Sequence, residues 1–186
     1  MSKPTRLLVL GLGNVLLGDD GVGAAAIASL LDQYAVPRGV RVLDGGTLGL
    51  ALLPYLDEAD VVILVDAIRN DGPPGTLVRL DGDQVAPAIA TRLSPHQVGV
   101  SDLLDGARWL DRYPSYLVLL GLVPEEIELS VGLSPDVARS LPALVAQVVA
   151  EAASLGFCFV RDAHTRTDET PGTLGGVDVA RLAGMR

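Results

Sequence analysis

Short apolar runs rich in Val, Leu and Ile recur along the chain, and helix-length segments with apolar residues at helical spacing separate them. Continuous apolar runs of this length are typical of strands buried on both faces of a parallel sheet. We predict strands over residues 6–10, 40–43, 61–65, 76–80 and 116–122. We predict helices over residues 21–34, 47–55, 98–110 and 135–155.

Residue chemistry at the segment ends supports these boundaries. Thr47 and Ser134 are suitable N-caps for the second and last helices, and Gly156 is a suitable stop after the last one. Pro142 lies inside the last helix and predicts a kink or a restart there. Trp109 is expected to pack with the apolar face of the third helix, which includes Leu110.

The alternation of strands and helices predicts an α/β fold in three α/β/α layers, with a twisted, mostly parallel sheet and helices on both faces. Residues 76–80 are expected to form an edge strand. We assign residues 1–160 to a single domain, which suits a chain of 186 residues. Residues 161–186 are rich in Arg, Asp, Thr and Gly, and we predict that they form a flexible tail.

Composition and charge exclude some classes of function. No run approaches the roughly 18 apolar residues of a membrane span, although 49% of the chain is hydrophobic. A net charge of −9 argues against a nucleic-acid partner. The single cysteine, Cys158, is expected to be a minor core or tail residue, and it agrees with a reducing compartment. We therefore expect a cytoplasmic protein, and the lack of heptads or an exposed aromatic stripe favours a monomer.

Acidic side chains follow three of the predicted strands. The first strand leads to Asp19 and Asp20, the second ends at Asp44, and the third ends at Asp66. Carboxyl ends of parallel strands meet at one edge of a sheet, where ligands bind in open α/β folds. His96 precedes a helix that can reach the same edge. Two carboxylates and an imidazole suit nickel or zinc, so these residues form a candidate metal site.

Each candidate also has a simpler structural interpretation. Asp19 or Asp20 can cap the following helix, and Asp44 before two glycines is a good turn former. A lone histidine such as His96 is often structural. Asp66 is harder to explain in this way, because a carboxylate directly after an aliphatic run is expected to be partly buried and to need a partner.

The first loop must also be compared with a dinucleotide-binding fingerprint. Gly11 and Gly13 follow a strand and Asp44 ends the next one, but the third glycine of the fingerprint falls on Leu16. Two acids at the helix entrance would also repel a pyrophosphate. The sequence contains neither a Gly-Lys-Ser/Thr phosphate loop nor a Gly-x-Ser-x-Gly nucleophile elbow. A nucleotide-binding module therefore remains an alternative, but a disfavoured one.

An ordered set of motifs resembles the hydrogenase maturation endopeptidase family. The motifs are GLGNVLLGDDGVG at 11–23, DGGT at 44–47, VDA at 65–67, SPHQ at 94–97, GLVPE at 121–125 and GLSP at 132–135. Each is weak alone, but their order and spacing are specific, and the likeness spans roughly residues 5–156.

The resemblance implies a protease that removes the C-terminal extension of a nickel-loaded large-subunit precursor of a nickel-iron (NiFe) hydrogenase. It maps the nickel-contacting residues onto Asp20, Asp66 and His96, although many members have Glu where this chain has Asp20. The nickel belongs to the substrate and is not expected to stay on the isolated protein. Our hypothesis makes Asp44 a general base, or else a residue that shapes its loop. The rivals are a non-proteolytic nickel carrier and an autonomous zinc metallopeptidase.

Overall fold

The computed structural model describes residues 6–90 and 95–162, and the side chains of residues 90 and 95–99 lie outside that description. The strands are β1 Leu7–Leu12, β2 Tyr34–Ala35, β3 Val40–Gly46, β4 Val61–Ala67, β5 Leu77–Asp81, β6 Tyr116–Leu122 and β7 Val160–Arg161. The helices are α1 Val22–Gln33, α2 Leu53–Asp57, α3 Val85–Ala90, α4 Pro95–Trp109 and α5 Pro135–Ser154. Short 3-10 turns span Gly18–Gly21, Gly49–Leu52 and Gly82–Gln84.

Five strands form the central sheet in the order β3-β1-β4-β6-β5. The first four are parallel, and β5 runs antiparallel to β6 at the edge. In this register Gly11 of β1 lies between Asp44 of β3 and Val65 of β4, and Asp66 lies opposite Gly121 of β6. The predicted mostly parallel α/β sheet is confirmed, and the acidic strand exits lie at one edge of it.

Successive residues of the parallel strands enter two separate cores. Leu7 and Val9 of β1 face the core covered by α1 and α5, whereas Leu8 and Leu10 face the core covered by α2, α3 and α4. Both faces are therefore apolar, which explains why these strands have continuous apolar runs in the sequence. Within the described part of the chain, no helix combines the length and the apolar character needed to cross a bilayer.

Trp109 does not pack against α4, and that prediction is wrong. Its side chain is 94% exposed, and Leu110 is also exposed. The buried face of α4 is formed by Val100, Leu103, Leu104 and Ala107. Trp109 is two residues beyond Ala107, which rotates it about 200° to the solvent side of the helix. The helix also ends at Trp109, so Leu110 lies beyond the periodic pattern.

Several boundaries differ from the prediction. Thr47 does not cap a helix, because a 3-10 turn starting at Gly49 precedes α2. Helix α4 starts three residues earlier than predicted, and α3 forms at residues 85–90, where no helix was predicted. Pro142 lies inside a single continuous α5, so the helix does not restart.

The end of the described chain pairs with the end of α1. Strand β7 pairs antiparallel with β2, and the Asp162 amide donates to the Gln33 carbonyl (3.0 Å). Cys158 is exposed. Arg161 and Asp162, the first residues of the predicted tail, are therefore held against the domain. Residues 163–186 of that tail lie outside the described residues.

Helix α1 approaches the sheet closely at Gly23. A Cβ on Gly23 would lie 2.2 Å from the Leu12 carbonyl oxygen and 2.4 Å from that of Val65. Both contacts are with backbone, which cannot rotate away. At Gly106 in α4, a Cβ would meet only Leu50 Cδ2, at 3.6 Å.

We predict that Gly23→Ala lowers the free energy of unfolding by about 3 kcal/mol through overpacking. The matched change Gly106→Ala should raise it by about 0.5–1 kcal/mol, since alanine favours a helix over glycine. Urea denaturation of both variants measures the difference. Equal effects at the two positions would contradict the close approach of α1 to the sheet.

An ion pair joins the edge of the sheet to α5. Glu151, whose side chain is 7% exposed, accepts hydrogen bonds from Arg79 Nε (2.9 Å), Arg79 Nη2 (3.0 Å) and the Tyr116 hydroxyl (2.6 Å). The Arg79 hydrogen bonds hold the pKa of Glu151 below its ordinary value, and the bond to Glu151 raises the pKa of Tyr116. Residues from β5, β6 and α5 are thus held together.

Because the folded-state pKa of Glu151 is depressed, its charged form contributes stability above the unfolded-state pKa, and that contribution disappears as pH falls through the folded value. We predict that Glu151→Gln lowers stability by about 2 kcal/mol at neutral pH, less than a fully buried pair because Arg79 is partly exposed. The difference in stability between wild type and Glu151→Gln should become smaller below about pH 4. Thermal unfolding of both proteins at a series of pH values measures this difference. A stability difference that does not change with pH would contradict a stabilising role of the charged Glu151.

Candidate functional site

Gly13 lies where three strand exits converge. Its φ is +112°, which favours glycine, and its amide donates to the Gly46 carbonyl at the end of β3 (3.1 Å). A Cβ on Gly13 would lie 1.8 Å from the Asp20 carbonyl oxygen and 3.5 Å from Asp66 Oδ1. The missing side chain therefore lets the Asp20 turn and the Asp66 carboxylate approach the same point.

Asp20 lies in the 3-10 turn that leads from β1 to α1, and it is fully buried. Its Oδ2 accepts a hydrogen bond from the Asn14 amide (2.7 Å). Asn14 also closes the loop, because its Oδ1 accepts from the Leu16 amide (3.0 Å) and its carbonyl accepts from the Leu17 amide (3.0 Å). The loop thus holds the Asp20 carboxylate toward the end of β1, away from an N-cap position.

Asp66 is the next-to-last residue of β4 and is 2% exposed, so its expected burial is confirmed. Its Oδ1 accepts from the Ala67 amide (2.7 Å). The neighbouring strand offers room at this point because Gly121 lacks a side chain, and a Cβ there would lie 2.0 Å from the Asp66 carbonyl oxygen. The backbone carbonyl of Asp20 and the carboxylate of Asp66 therefore both lie beside Gly13, and the Asp20 carboxylate lies at the amide of the next residue, Asn14.

Asp44 lies at the neighbouring exit of β3, and it is exposed. Its Oδ1 accepts from the Gly46 amide (3.0 Å), so the turn-forming role that the sequence suggested is present. Gly46 in turn approaches Gly13, because a Cβ on Gly46 would be 3.9 Å from the Gly13 carbonyl oxygen. Asp44 thus lies on the turn that approaches Gly13 at the end of β3.

His96 lies in the first turn of α4, and its side chain is outside the described part of the chain, as is Ser94 of the same motif. Among the described side chains, no group of three or more His, Cys, Asp or Glu could hold a metal ion. The two described carboxylates are oxygen donors, and His96 would add the nitrogen donor of the predicted set. The metal-contacting role of these three residues stays a prediction.

Asp19 has a role that the sequence analysis missed. Its buried carboxylate accepts from the Glu125 amide (2.8 Å), the Ser134 amide (2.7 Å) and the Ser134 hydroxyl (2.9 Å). The predicted helix cap is wrong, since Asp19 lies in the 3-10 turn ahead of α1 and meets the loop from β6 to α5. Ser134 occupies the N-cap position of α5, but its hydroxyl bonds Asp19 and makes no cap.

Known proteins are similar to this chain in sequence and in fold. Residues 25–151 match the family described as Hydrogenase maturation protease. The chain is 40% identical over 169 residues to the hydrogenase expression/formation protein HupD of Rhodobacter capsulatus, covering 89% of this chain and 80% of the relative. It is 38% identical over 146 residues to the hydrogenase 2 maturation protease of Escherichia coli, and the match covers 78% of this chain and 89% of the relative.

The chain belongs to the hydrogenase maturation protease family. The resemblance of the sequence motifs is thereby confirmed, and the protein is a peptidase. The solved structure of the hydrogenase maturating endopeptidase HybD from E. coli matches this protease with a TM-score of 0.80 at 35% identity, over 84% of this chain and 98% of that one. The NiFe hydrogenase maturation protease HybD from Thermococcus kodakarensis matches with a TM-score of 0.67 at 29% identity, over 80% of this chain and 99% of that one. The glycine-rich loop at residues 11–23 therefore belongs to a peptidase and not to a nucleotide-binding module.

The protease should depend on Asp19 for the order of the loop from residue 125 to 134. We predict that Asp19→Ala leaves the Glu125 and Ser134 amides without their charged acceptor and lowers the free energy of unfolding by about 3 kcal/mol. Ser134→Ala, which removes only the hydroxyl bond, should cost about 1 kcal/mol. Hydrogen exchange should be faster in that loop in Asp19→Ala, and much less so in Ser134→Ala. Unchanged exchange in both variants would contradict this role.

Proposed function

We propose that this protease removes the C-terminal extension of a nickel-loaded large-subunit precursor of a NiFe hydrogenase, and that it recognises the nickel of that substrate. The observation that carries the proposal is the burial of two aspartates, Asp20 and Asp66, at the same edge of the sheet of a hydrogenase maturation protease. The two E. coli relatives are named for hydrogenase maturation, which supports a hydrogenase subunit as the substrate.

The charge and donor type of the site suit a metal that arrives with the substrate. Two buried carboxylates at the same edge of the sheet favour a cation there, because each negative charge is poorly solvated. With His96 they provide two oxygens and one nitrogen, which is an incomplete set for nickel. Ligands from the precursor complete the set, so binding reports that nickel has already been inserted.

The nickel of the substrate, held in this way, contributes to catalysis by positioning the precursor. It fixes the precursor so that the scissile bond lies over the carboxyl ends of β1, β3 and β4. Asp44 is exposed at the end of β3, where water reaches it. It orients the attacking water and accepts its proton, and the released amine receives a proton in return.

Cleavage of purified precursor, loaded with nickel or free of it, tests this function. We predict that wild type cleaves only the loaded form, and that Asp66→Asn and His96→Ala lower kcat/KM by about 100-fold or more through lost positioning. Asp20→Glu, the residue common in the family, should retain activity. Asp44→Asn should lower kcat by about 100-fold with little change in KM. Mass measurement of the precursor follows each reaction.

Asp32→Asn, an exposed acidic position on α1, serves as the matched control and should cleave like wild type. Equal cleavage of loaded and nickel-free precursor by wild type and His96→Ala would refute nickel recognition. Tight retention of nickel by the isolated protein, without any cleavage, would favour the carrier. Cleavage of generic peptides that stops with a chelator would favour an autonomous metallopeptidase.

A further inference from the structure

A cavity of about 170 Å³ lies at the edge of the sheet opposite the candidate site, beside the amino ends of β1 and β3 and the end of α2. Its lining includes Arg6, Leu8, Val40, Arg41, Tyr55 and Glu58, and we call it the arginine cavity. The chain runs from Arg6 to Gly13 at about 3.3 Å per residue, which separates the arginine cavity from the candidate site by roughly 20 Å. A ligand in this cavity is therefore too far away to touch the candidate site.

Two arginines project from the same face of the sheet at this point. Arg41 of β3 lies opposite Leu8 of β1, and paired residues of parallel strands place their side chains on the same face. The ladder between β1 and β4 continues to Arg6, whose carbonyl accepts from the Val61 amide (3.1 Å). Arg6 precedes Leu8 by two residues and so shares its face. Leu8 faces the core covered by α2, so both arginines extend toward α2 and the arginine cavity.

The Arg6 guanidinium has no anionic partner among the described residues. Its Nε is buried, and no described group accepts a hydrogen bond from it. The nearby Asp60 carboxylate accepts from the backbone amide of Arg6 (3.1 Å). A charged group that is partly removed from water costs free energy until an opposite charge meets it. An anion at the terminal nitrogens of Arg6 would offset this cost, since the charge is shared over the whole guanidinium.

The mouth of the arginine cavity has a second guanidinium in a weak ion pair. Arg41 contacts Glu58 (3.1 Å), and the two side chains are each 52% exposed. The Arg41 guanidinium also lies 5.4 Å from the centre of the Tyr55 ring. An ion pair as exposed as this one contributes little stability, so a ligand can compete with Glu58 for Arg41. Two positive charges and one negative charge line the arginine cavity, in a chain whose net charge is −9.

The floor of the arginine cavity and its size limit the chemistry of the ligand. Leu8 is buried there and Val40 is partly buried, so the floor is apolar. Arginine binds carboxylate and phosphate through paired N–H donors, but only an organic acid adds a hydrocarbon body for an apolar floor. A cavity of about 150 Å³ can hold a six-carbon ring, so an acid of roughly five to seven carbons fits.

We propose that the arginine cavity binds a small monocarboxylate with an apolar body. The carboxylate accepts hydrogen bonds from the terminal nitrogens of Arg6, and it competes with Glu58 for Arg41. The hydrocarbon body lies against Leu8 and Val40. A free acid and the C-terminal residue of a peptide chain both present this chemistry. The proposal does not depend on cleavage of a hydrogenase precursor.

Titrations of the ¹⁵N-labelled full chain, followed by NMR chemical shifts, test the ligand class. Isovalerate should bind with a Kd on the order of 1 mM, and shifts should change at residues 6–8, 39–41 and 55–59. The neutral analogue isovaleramide and inorganic phosphate should each bind at least about tenfold more weakly. Equal binding of either of these, or no saturable binding of any carboxylate probe up to about 20 mM, would overturn the proposal.

N-acetyl-leucine separates the two sources of the carboxylate. It carries the acid on a residue with a peptide bond, as the end of a chain does. Binding tighter than that of isovalerate would support the proposal with a chain end as the ligand. The reverse order would support it with a free acid as the ligand.

Variants test the assignment to the two arginines. Arg6→Met keeps an apolar stem and should weaken isovalerate binding at least about tenfold, whereas Arg41→Gln should weaken it about threefold. Arg139→Gln is the matched control, because it removes an exposed arginine that is paired with Asp136 on α5. It should bind isovalerate like wild type. Equal binding by wild type, Arg6→Met and Arg41→Gln would overturn the assignment.

Thermal unfolding distinguishes a binding role of Arg6 from a structural one. Without ligand, Arg6→Met should unfold at a Tm equal to that of wild type or higher, because it removes a poorly solvated charge that has no partner. Isovalerate at about ten times its Kd should raise the Tm of wild type and Arg139→Gln by about 3–5 °C, and that of Arg6→Met by less than about 1 °C. A Tm of Arg6→Met well below that of wild type, or an equal rise in all three proteins, would overturn the proposal.

Discussion

The contact between Gly13 and the backbone of Asp20 sets the geometry on which the site depends. A Cβ at this position would be 1.8 Å from the Asp20 carbonyl oxygen, so any side chain would push the 3-10 turn away from the end of β1. The same residue ties the exit of β3 to that of β1 through its hydrogen bond with Gly46. Asp66 comes within reach because β4 is the other neighbour of β1. The absence of a side chain at Gly13 thus allows the ends of three strands to lie close together.

The two adjacent aspartates of the 3-10 turn, Asp19 and Asp20, contact different parts of the chain. Asp19 accepts three hydrogen bonds from the loop between β6 and α5, which neutralises the cost of burying its charge and fixes that loop. The Asp20 carboxylate instead accepts from the Asn14 amide, at the end of β1. The turn therefore joins the end of β1 to the loop between β6 and α5.

The edges of the sheet are stabilised by different means. At the β5 edge, the ion pair of Arg79 with Glu151 joins the antiparallel strand to α5. At the β3 edge, Asp44 closes a local turn through the Gly46 amide. The carboxyl ends of the central strands are thus left for the site, and the rest of the domain keeps them in register.

The sequence by itself determined the parallel sheet and the acidic edge. Strands buried on both faces need continuous apolar runs, and parallel strands bring the residues that follow them, such as Asp20 and Asp66, to one edge. Only the tertiary structure decided the role of Asp19, whose partners are 106 and 115 residues away, and the exposure of Trp109 at the end of α4. Local periodicity reports which face of an element is apolar, but it holds no information about which distant backbone amide a carboxylate will meet, because that depends on how the elements pack.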